Sequence, residues 1–213
     1  MGEHATERPR RVRKGPDERR EQILACARRL FGERPYEAVS TAEIAAAAGV
    51  SRGLLHHYFG TRRELYVAAV ERMVEIPPVP VPAFDAGATV RDRIERSLDA
   101  WLELLHRNRT AWVRALDLTA SGGDADLERV LDAARGRAVD HLTEVVGLAP
   151  LAAAHPEVRA AFRGYSGMAE AAAREWLKHG RLTRAQTRTL LRDVLLHLVE
   201  DVVPALAAPD AAL

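Results

Sequence analysis

The chain has 213 residues, 47% hydrophobic and 29% charged, enough apolar content for a packed core in an ordinary soluble composition. Its net charge of +1 says nothing about nucleic acid, and a single cysteine, Cys26, excludes a disulfide framework. No apolar run approaches the roughly 20 residues of a membrane span, and the N-terminus lacks the apolar segment of a secretory signal, so a cytoplasmic protein is expected.

The charge is unevenly distributed. Residues 1–76 hold 14 Lys/Arg against 11 Asp/Glu, whereas residues 77–213 hold 17 against 19. The basic surplus gathers at Arg8, Arg10, Arg11, Arg13 and Lys14, five cations in seven residues. Such a run is usually a solvated tail; beside a DNA-binding element it suits a phosphate or minor-groove arm. Residues 1–16, with Pro9, Gly15 and Pro16 and no apolar periodicity, read as a basic disordered arm.

Asp17 is placed to cap a first helix carrying Ile23, Leu24, Ala27, Leu30 and Phe31 on one face, ended by Gly32 and Pro35. Ser40–Phe59 then reads as two short helices around a tight turn. Ser40 with Glu43 three residues on is a capping box, Ile44, Ala45 and Ala48 form a narrow apolar face, and Gly49 suits the corner. Ser51 caps the second helix, which turns Leu54, Leu55, Tyr58 and Phe59 inward and Arg52, Gly53, His56 and His57 outward. The layout is that of a helix-turn-helix whose second helix can enter a major groove, although the spacing alone also fits any αα-hairpin with a glycine corner.

A fourth helix is predicted from Thr61 to about Ile76, with Leu65, Ala68, Ala69 and Met73 inward. Residues 77–88, with four prolines in the first six, form a stiff spacer. Beyond it, helices are expected at Thr89–His106, at Arg109–Thr119 with Asn108 as cap, and at Asp124–Val146. A loop interrupted by Pro150 follows over 147–155, then a long helix from Pro156 to His179. That helix carries Val158, Phe162, Tyr165, Met168 and Trp176 on one face. Its second face, Ala160, Gly164, Gly167 and Ala171, is small enough for close helix approach. Thr183 and Gln186 box the start of a last helix, in which nine apolar residues from Leu190 to Leu206 cover more than half the circumference. Pro204 ends or kinks it. No strand-like alternation is present, so the class is all-α.

The stretch IAAAAGVSRGLLHHYFGTRREL resembles the I-A-x-x-A-G-V-S-x-G-x-L-Y-x-x-F-x-[ST]-K-x-x-L signature of TetR-family transcriptional regulators. The match runs through Ile44, Ala45, Ala48, Gly49, Val50, Ser51, Gly53, Leu55, Phe59, Thr61 and Leu65. It departs at His56, where the family usually has Tyr, and at Arg62, where it usually has Lys. Pro35 and Tyr36 stand where a Gly-aromatic pair is common. The resemblance implies an N-terminal three-helix DNA-binding domain with a connecting helix, residues 17–76, and a helical ligand-binding and dimerisation domain, residues 77–213, about nine helices in all. It also implies a homodimer through the last two helices, a double-stranded DNA operator and a small-molecule effector, with no cofactor and no metal.

Arg52 is the expected base contact, since arginine pairs bidentately with guanine O6 and N7. Gly53 permits close backbone approach, and His57 shares the exposed face. Ser40, Thr41, Ser51, His56, Tyr58 and Arg62 are the expected phosphate contacts, joined by Arg10, Arg11, Arg13 and Lys14 from the arm. Candidate effector-lining residues are Trp101, Trp112, Phe162, Tyr165, Met168 and Trp176, with Arg114, Asp117, His106 and His141 as polar anchors; at helical spacing the aromatics also read as plain core. Two rival classes remain: a helical adaptor for another protein, and an enzyme, for which no metal constellation, phosphate loop or nucleophile motif is found. DNA retention with a steep salt slope would separate the regulator from the adaptor.

Overall fold

In the computed structural model of the chain, residues 15–75, 87–110, 112–113 and 124–208 are described. The basic arm, most of the proline spacer, Arg114, Asp117 and the remainder of the helix expected to reach Thr119 lie outside them.

Helix α1, Pro16–Glu33, starts two residues earlier than expected. Gly15, not Asp17, is its N-cap, and Pro16 occupies a first-turn position where its missing N–H costs nothing. Glu18 reaches back to accept from the Gly15 N–H at 3.3 Å, and Asp17 joins it in the first turn, where carboxylates oppose the helix dipole. Helix α2 is Thr41–Ala47, α3 is Arg52–Phe59 and α4 is Arg62–Val74. Ile23, Leu24, Ala27, Leu30 and Phe31 of α1 are buried, as are Ile44 and Ala45 of α2 and Leu55 and Phe59 of α3. The chain divides into two compact units, Met1–Ala69 and Val70–Leu213.

In the second unit α5 spans Val90–Arg107, and a Thr89–Asp92 capping box opens it. Asn108 closes α5, its side-chain N–H donating to the Leu104 carbonyl at 2.9 Å, while its own carbonyl accepts from the Trp112 N–H at 3.0 Å. Helix α6 is Ala125–Val146, capped by Asp124 and stopped by Gly147. The expected loop over 147–155 is instead mostly a short helix, α7, Ala149–Ala154. Pro150 sits in its first turn, so the residue that suggests a break serves as a start.

Helix α8, Pro156–Arg174, ends in a wide turn over Glu175–His179 in which the Gly180 N–H reaches back to the Glu175 carbonyl. Helix α9, Arg184–His197, begins with the expected Thr183–Gln186 box. A second wide turn, Leu198–Val202, leads into α10, Val203–Ala207. Pro204 thus lies inside the terminal helical stretch, and the wider turn just before it absorbs the N–H it lacks.

Ile94 and Leu98 of α5, Val139 and Val146 of α6, Val158, Phe162 and Tyr165 of α8, and Leu191 and Leu195 of α9 make the core of this unit. Ion pairs rail its outer seams. Arg188 of α9 holds Asp99 at 2.6 Å and Glu95 at 3.2 Å on α5, and Arg184 holds Glu103 at 3.3 Å. The Arg188 guanidinium keeps the Asp99 carboxyl below the usual carboxylate range. Between α6 and α8, Arg159 pairs with Asp140, Arg163 with Asp132 and Arg135 with Glu170.

Candidate nucleic-acid interface

The turn between α2 and α3 is built by backbone geometry that a glycine allows. Gly49 has φ +61°, and the Val50 N–H returns to the Ala45 carbonyl at 3.0 Å, closing α2 and aiming the chain into α3. The Gln22 side chain of α1 donates to the Ala48 carbonyl at 2.9 Å, fixing the corner to the rest of the unit. Ser51 Oγ accepts from the Leu54 N–H at 3.1 Å, capping α3 as expected. Ser40 Oγ likewise accepts from the Glu43 N–H at 3.2 Å. The second half of the expected box is replaced, because the Glu43 carboxylate is taken by Arg34.

With Leu55 and Phe59 buried, the helix period puts Arg52, Gly53, His56 and His57 outward, and all four are exposed. Among the described residues no ion pair or hydrogen bond holds the Arg52 guanidinium. His57 meets only the Tyr58 ring, edge-on at 5.5 Å between centroids, and Tyr58 is half-buried. Beyond its own helix and chain neighbours, a methyl group added at Gly53 would meet no atom of the described residues within 4 Å, so no packing among them requires glycine there. Gly53→Ala should therefore raise subunit stability by up to about 1 kcal/mol through helix propensity. It should also weaken DNA binding, with thermal unfolding and fluorescence anisotropy as the paired checks; weaker folding with unchanged DNA affinity would show that the glycine serves the subunit alone.

His56 donates from Nδ1 to the Gly60 carbonyl at 2.7 Å and so closes the C-terminal end of α3. Gly60 itself has φ +65°, and the corner continues into Thr61, whose N–H donates to Glu64 Oε2 at 2.6 Å. The Thr61 hydroxyl donates to the same oxygen at 2.8 Å, and the two hydrogen bonds hold the Glu64 carboxyl below its ordinary range.

Arg62 is held by a partner within its own unit. Its guanidinium lies 4.1 Å over the Tyr36 ring and donates to the Tyr36 carbonyl at 2.8 Å. Tyr36 in turn packs on Tyr66 at 4.7 Å and on Phe31 at 6.1 Å between centroids. This half-buried cation joins α4 to the segment after α1. Ser40, Thr41 and Ser51 sit at the starts of α2 and α3 beside exposed N-terminal turns.

The effector candidates fall into two groups. Phe162 is fully buried, and Tyr165, also in the core, donates its hydroxyl to the Leu191 carbonyl at 3.0 Å, burial pushing its phenol well up. Met168 packs partly buried against that same core. These three pack into the core of the second unit. Trp101, Trp112 and Trp176 lie instead, half-buried, around Leu105, Ala173 and Leu177. Trp101 and Trp112 meet edge to face at 6.2 Å, His106 stacks on Trp176 at 6.2 Å, and Arg109 donates to the Leu177 carbonyl at 2.8 Å. His141 is half-buried, and that burial pushes its imidazole pKa down. An open cleft over α5, lined by Asp92, Glu95, Asp99 and Arg188, is polar, with Arg188 paired to two of those carboxylates. Among the described residues no three His, Cys, Asp or Glu side chains gather as a metal would require, and no helix is long and apolar enough to cross a membrane.

Residues 23–69 match the pattern of "Bacterial regulatory proteins, tetR family", and residues 90–198 match "Tetracyclin repressor-like, C-terminal domain". The chain is 38% identical over 77 residues to the HTH-type transcriptional regulator BetI of Rhizobium meliloti (strain 1021), covering 36% of this chain and 38% of that one. It is 44% identical over 59 residues to the HTH-type transcriptional activator FasR of Mycolicibacterium smegmatis, covering 28% and 27%. Over 65 residues it is 37% identical to the HTH-type transcriptional repressor AcnR of Corynebacterium glutamicum, covering 29% and 35%. The alignments thus span little more than a third of those relatives at most.

A tetR-family transcriptional regulator from Streptomyces coelicolor has the same fold, with TM-score 0.70 at 24% identity over 91% of this chain and 88% of the other. The fatty acid degradation regulator FadR from Bacillus halodurans aligns with TM-score 0.60 at 18% identity, covering 89% and 98%. Likenesses at that identity speak for the fold alone. With both halves of the sequence matched and an exposed recognition helix in place, this chain belongs to the TetR family of DNA-binding transcriptional regulators.

Proposed function

We propose that the protein is a cytoplasmic, dimeric repressor that binds a palindromic operator and is released by a small-molecule effector. The observation that carries the DNA part is the outward face of α3, where Arg52, Gly53 and His57 stand exposed and Gly53 has no packing reason to be glycine. Arg52 is assigned to a base edge, and His57 and Gly53 to close approach beside it. Ser40, Thr41, Ser51, His56 and Tyr58 are assigned to phosphates, with Arg10, Arg11, Arg13 and Lys14 as a basic arm.

Pairing through the last two long helices is supported by what they leave uncovered. Ala160, Gly164, Gly167 and Ala171 form an outward strip on α8, apart from any close approach within the subunit. Leu190 is 40% exposed and Val194 36%, both on α9, and Leu206 is 38% exposed on α10. A small-residue strip on one long helix and uncovered leucine and valine on the next suit pairing with a second copy of the chain. The half-buried tryptophans around Leu105 and Leu177 support an apolar or aromatic effector. Such a ligand acts only by binding the two arrangements of the DNA-binding units with different affinity.

The test is selection from a randomised duplex library, followed by native mass spectrometry of the complex. The expected product is an inverted repeat with half-sites about one helical turn apart, bound by an even number of subunits. An enriched site without two-fold symmetry, or a single subunit per site, would contradict the proposal.

A further inference from the structure

We propose that His56 meets the DNA backbone as an imidazolium, so that each subunit takes up a proton on binding and affinity falls as pH rises. The proposal rests on α3 being the DNA-facing helix. Its ground is a conflict of hydrogen-bonding roles. Nδ1 of His56 lies 2.7 Å from the Gly60 carbonyl oxygen, and a carbonyl has no proton to give, so Nδ1 carries the hydrogen. In the neutral ring Nε2 is then a bare acceptor. A phosphate oxygen is an acceptor too, and the two would repel. Only the protonated ring donates from both nitrogens, one to Gly60 and one to phosphate.

Turning the ring to offer Nδ1 to DNA would strip the Gly60 carbonyl of its partner. That carbonyl is well fixed: the Gly60 N–H donates to the His56 carbonyl at 2.8 Å, and the next residue, Thr61, is bound to Glu64. The ring is exposed and stands one turn after Arg52 on the same side of α3. The charged or titratable residues nearest in the chain are Arg52, His57 and Tyr58 on its own helix and Arg62, Arg63 and Glu64 at the start of α4. The Glu64 carboxylate is occupied by the Thr61 N–H and hydroxyl at 2.6 and 2.8 Å. An arriving phosphate is therefore the new negative charge that favours the imidazolium. A tyrosine at this position donates at any pH below its own ionisation; the histidine makes the same contact conditional on a proton.

The full chain is titrated at fixed salt, from about pH 6 to about pH 8, against a duplex it has itself enriched from a randomised library. The dissociation constant should rise about tenfold or more across that range, the scale set by losing a hydrogen bond from a charged donor. His56→Tyr and, as a second variant, His56→Gln should flatten it, with circular dichroism confirming that each remains folded. A wild-type affinity indifferent to pH, or a slope that survives both His56 variants, overturns the proposal. Failure to enrich any duplex overturns the reading of α3 itself, and this proposal with it.

Discussion

Arg52→Ala should relax discrimination at one position of each half-site by about 10- to 100-fold, the value of a bidentate arginine–guanine pair. Subunit stability should be unchanged, because the guanidinium is exposed and nothing among the described residues holds it. Affinity for unrelated duplexes should fall only slightly, with a small loss of salt slope from the missing charge. Competition binding against a panel of single-base variants reads out all three. Unchanged selectivity would move the base contact elsewhere on α3. A uniform loss across every sequence would make Arg52 a phosphate contact.

Leu190→Asp combined with Val194→Asp should dissociate the dimer by a thousand-fold or more in equilibrium constant. In the isolated subunit both side chains are over a third exposed, so the new carboxylates can remain hydrated and the fold should survive. In a dimer paired there they would be stripped of water without partners, at several kcal/mol each. Operator affinity should collapse with the dimer, because two half-sites are no longer engaged by one tethered pair. Sedimentation together with anisotropy on the same samples checks both effects. A dimer that persists at full affinity would place the pairing surface away from α9.

The helix-turn-helix was legible because its determinants are local. A serine cap, a glycine corner and Leu55–Phe59 one turn apart act within a few residues of one another, and each is found where the pattern places it. Two further contacts depend on partners that the local pattern does not reach. Glu43 is drawn from its capping role by Arg34, nine residues earlier, and Arg62 is claimed by Tyr36, 26 residues earlier. Neither separation leaves a periodic trace. Pro150 illustrates a different limit, since a proline that stops one helix and one that starts the next look alike without the hydrogen-bond pattern.

Periodicity showed that α8 has two faces but not which one the subunit covers. The face with Phe162 and Tyr165 is core, and the strip with Gly164 and Gly167 is uncovered within the subunit. The aromatic stripe was likewise one list in sequence and two places in space. Phe162 and Tyr165 answer to the main core, whereas Trp176, carried into the wide turn after α8, joins Trp101 and Trp112.

The most direct measurement is methylation interference on the selected duplex. Methyl groups at guanine N7 obstruct the major groove and those at adenine N3 the minor. Entry of α3 predicts two N7-sensitive patches related by two-fold symmetry about one helical turn apart, with one guanine in each losing its effect in Arg52→Ala. Interference confined to adenine N3, or a single N7 patch indifferent to Arg52, would contradict the placement of this helix face against the bases.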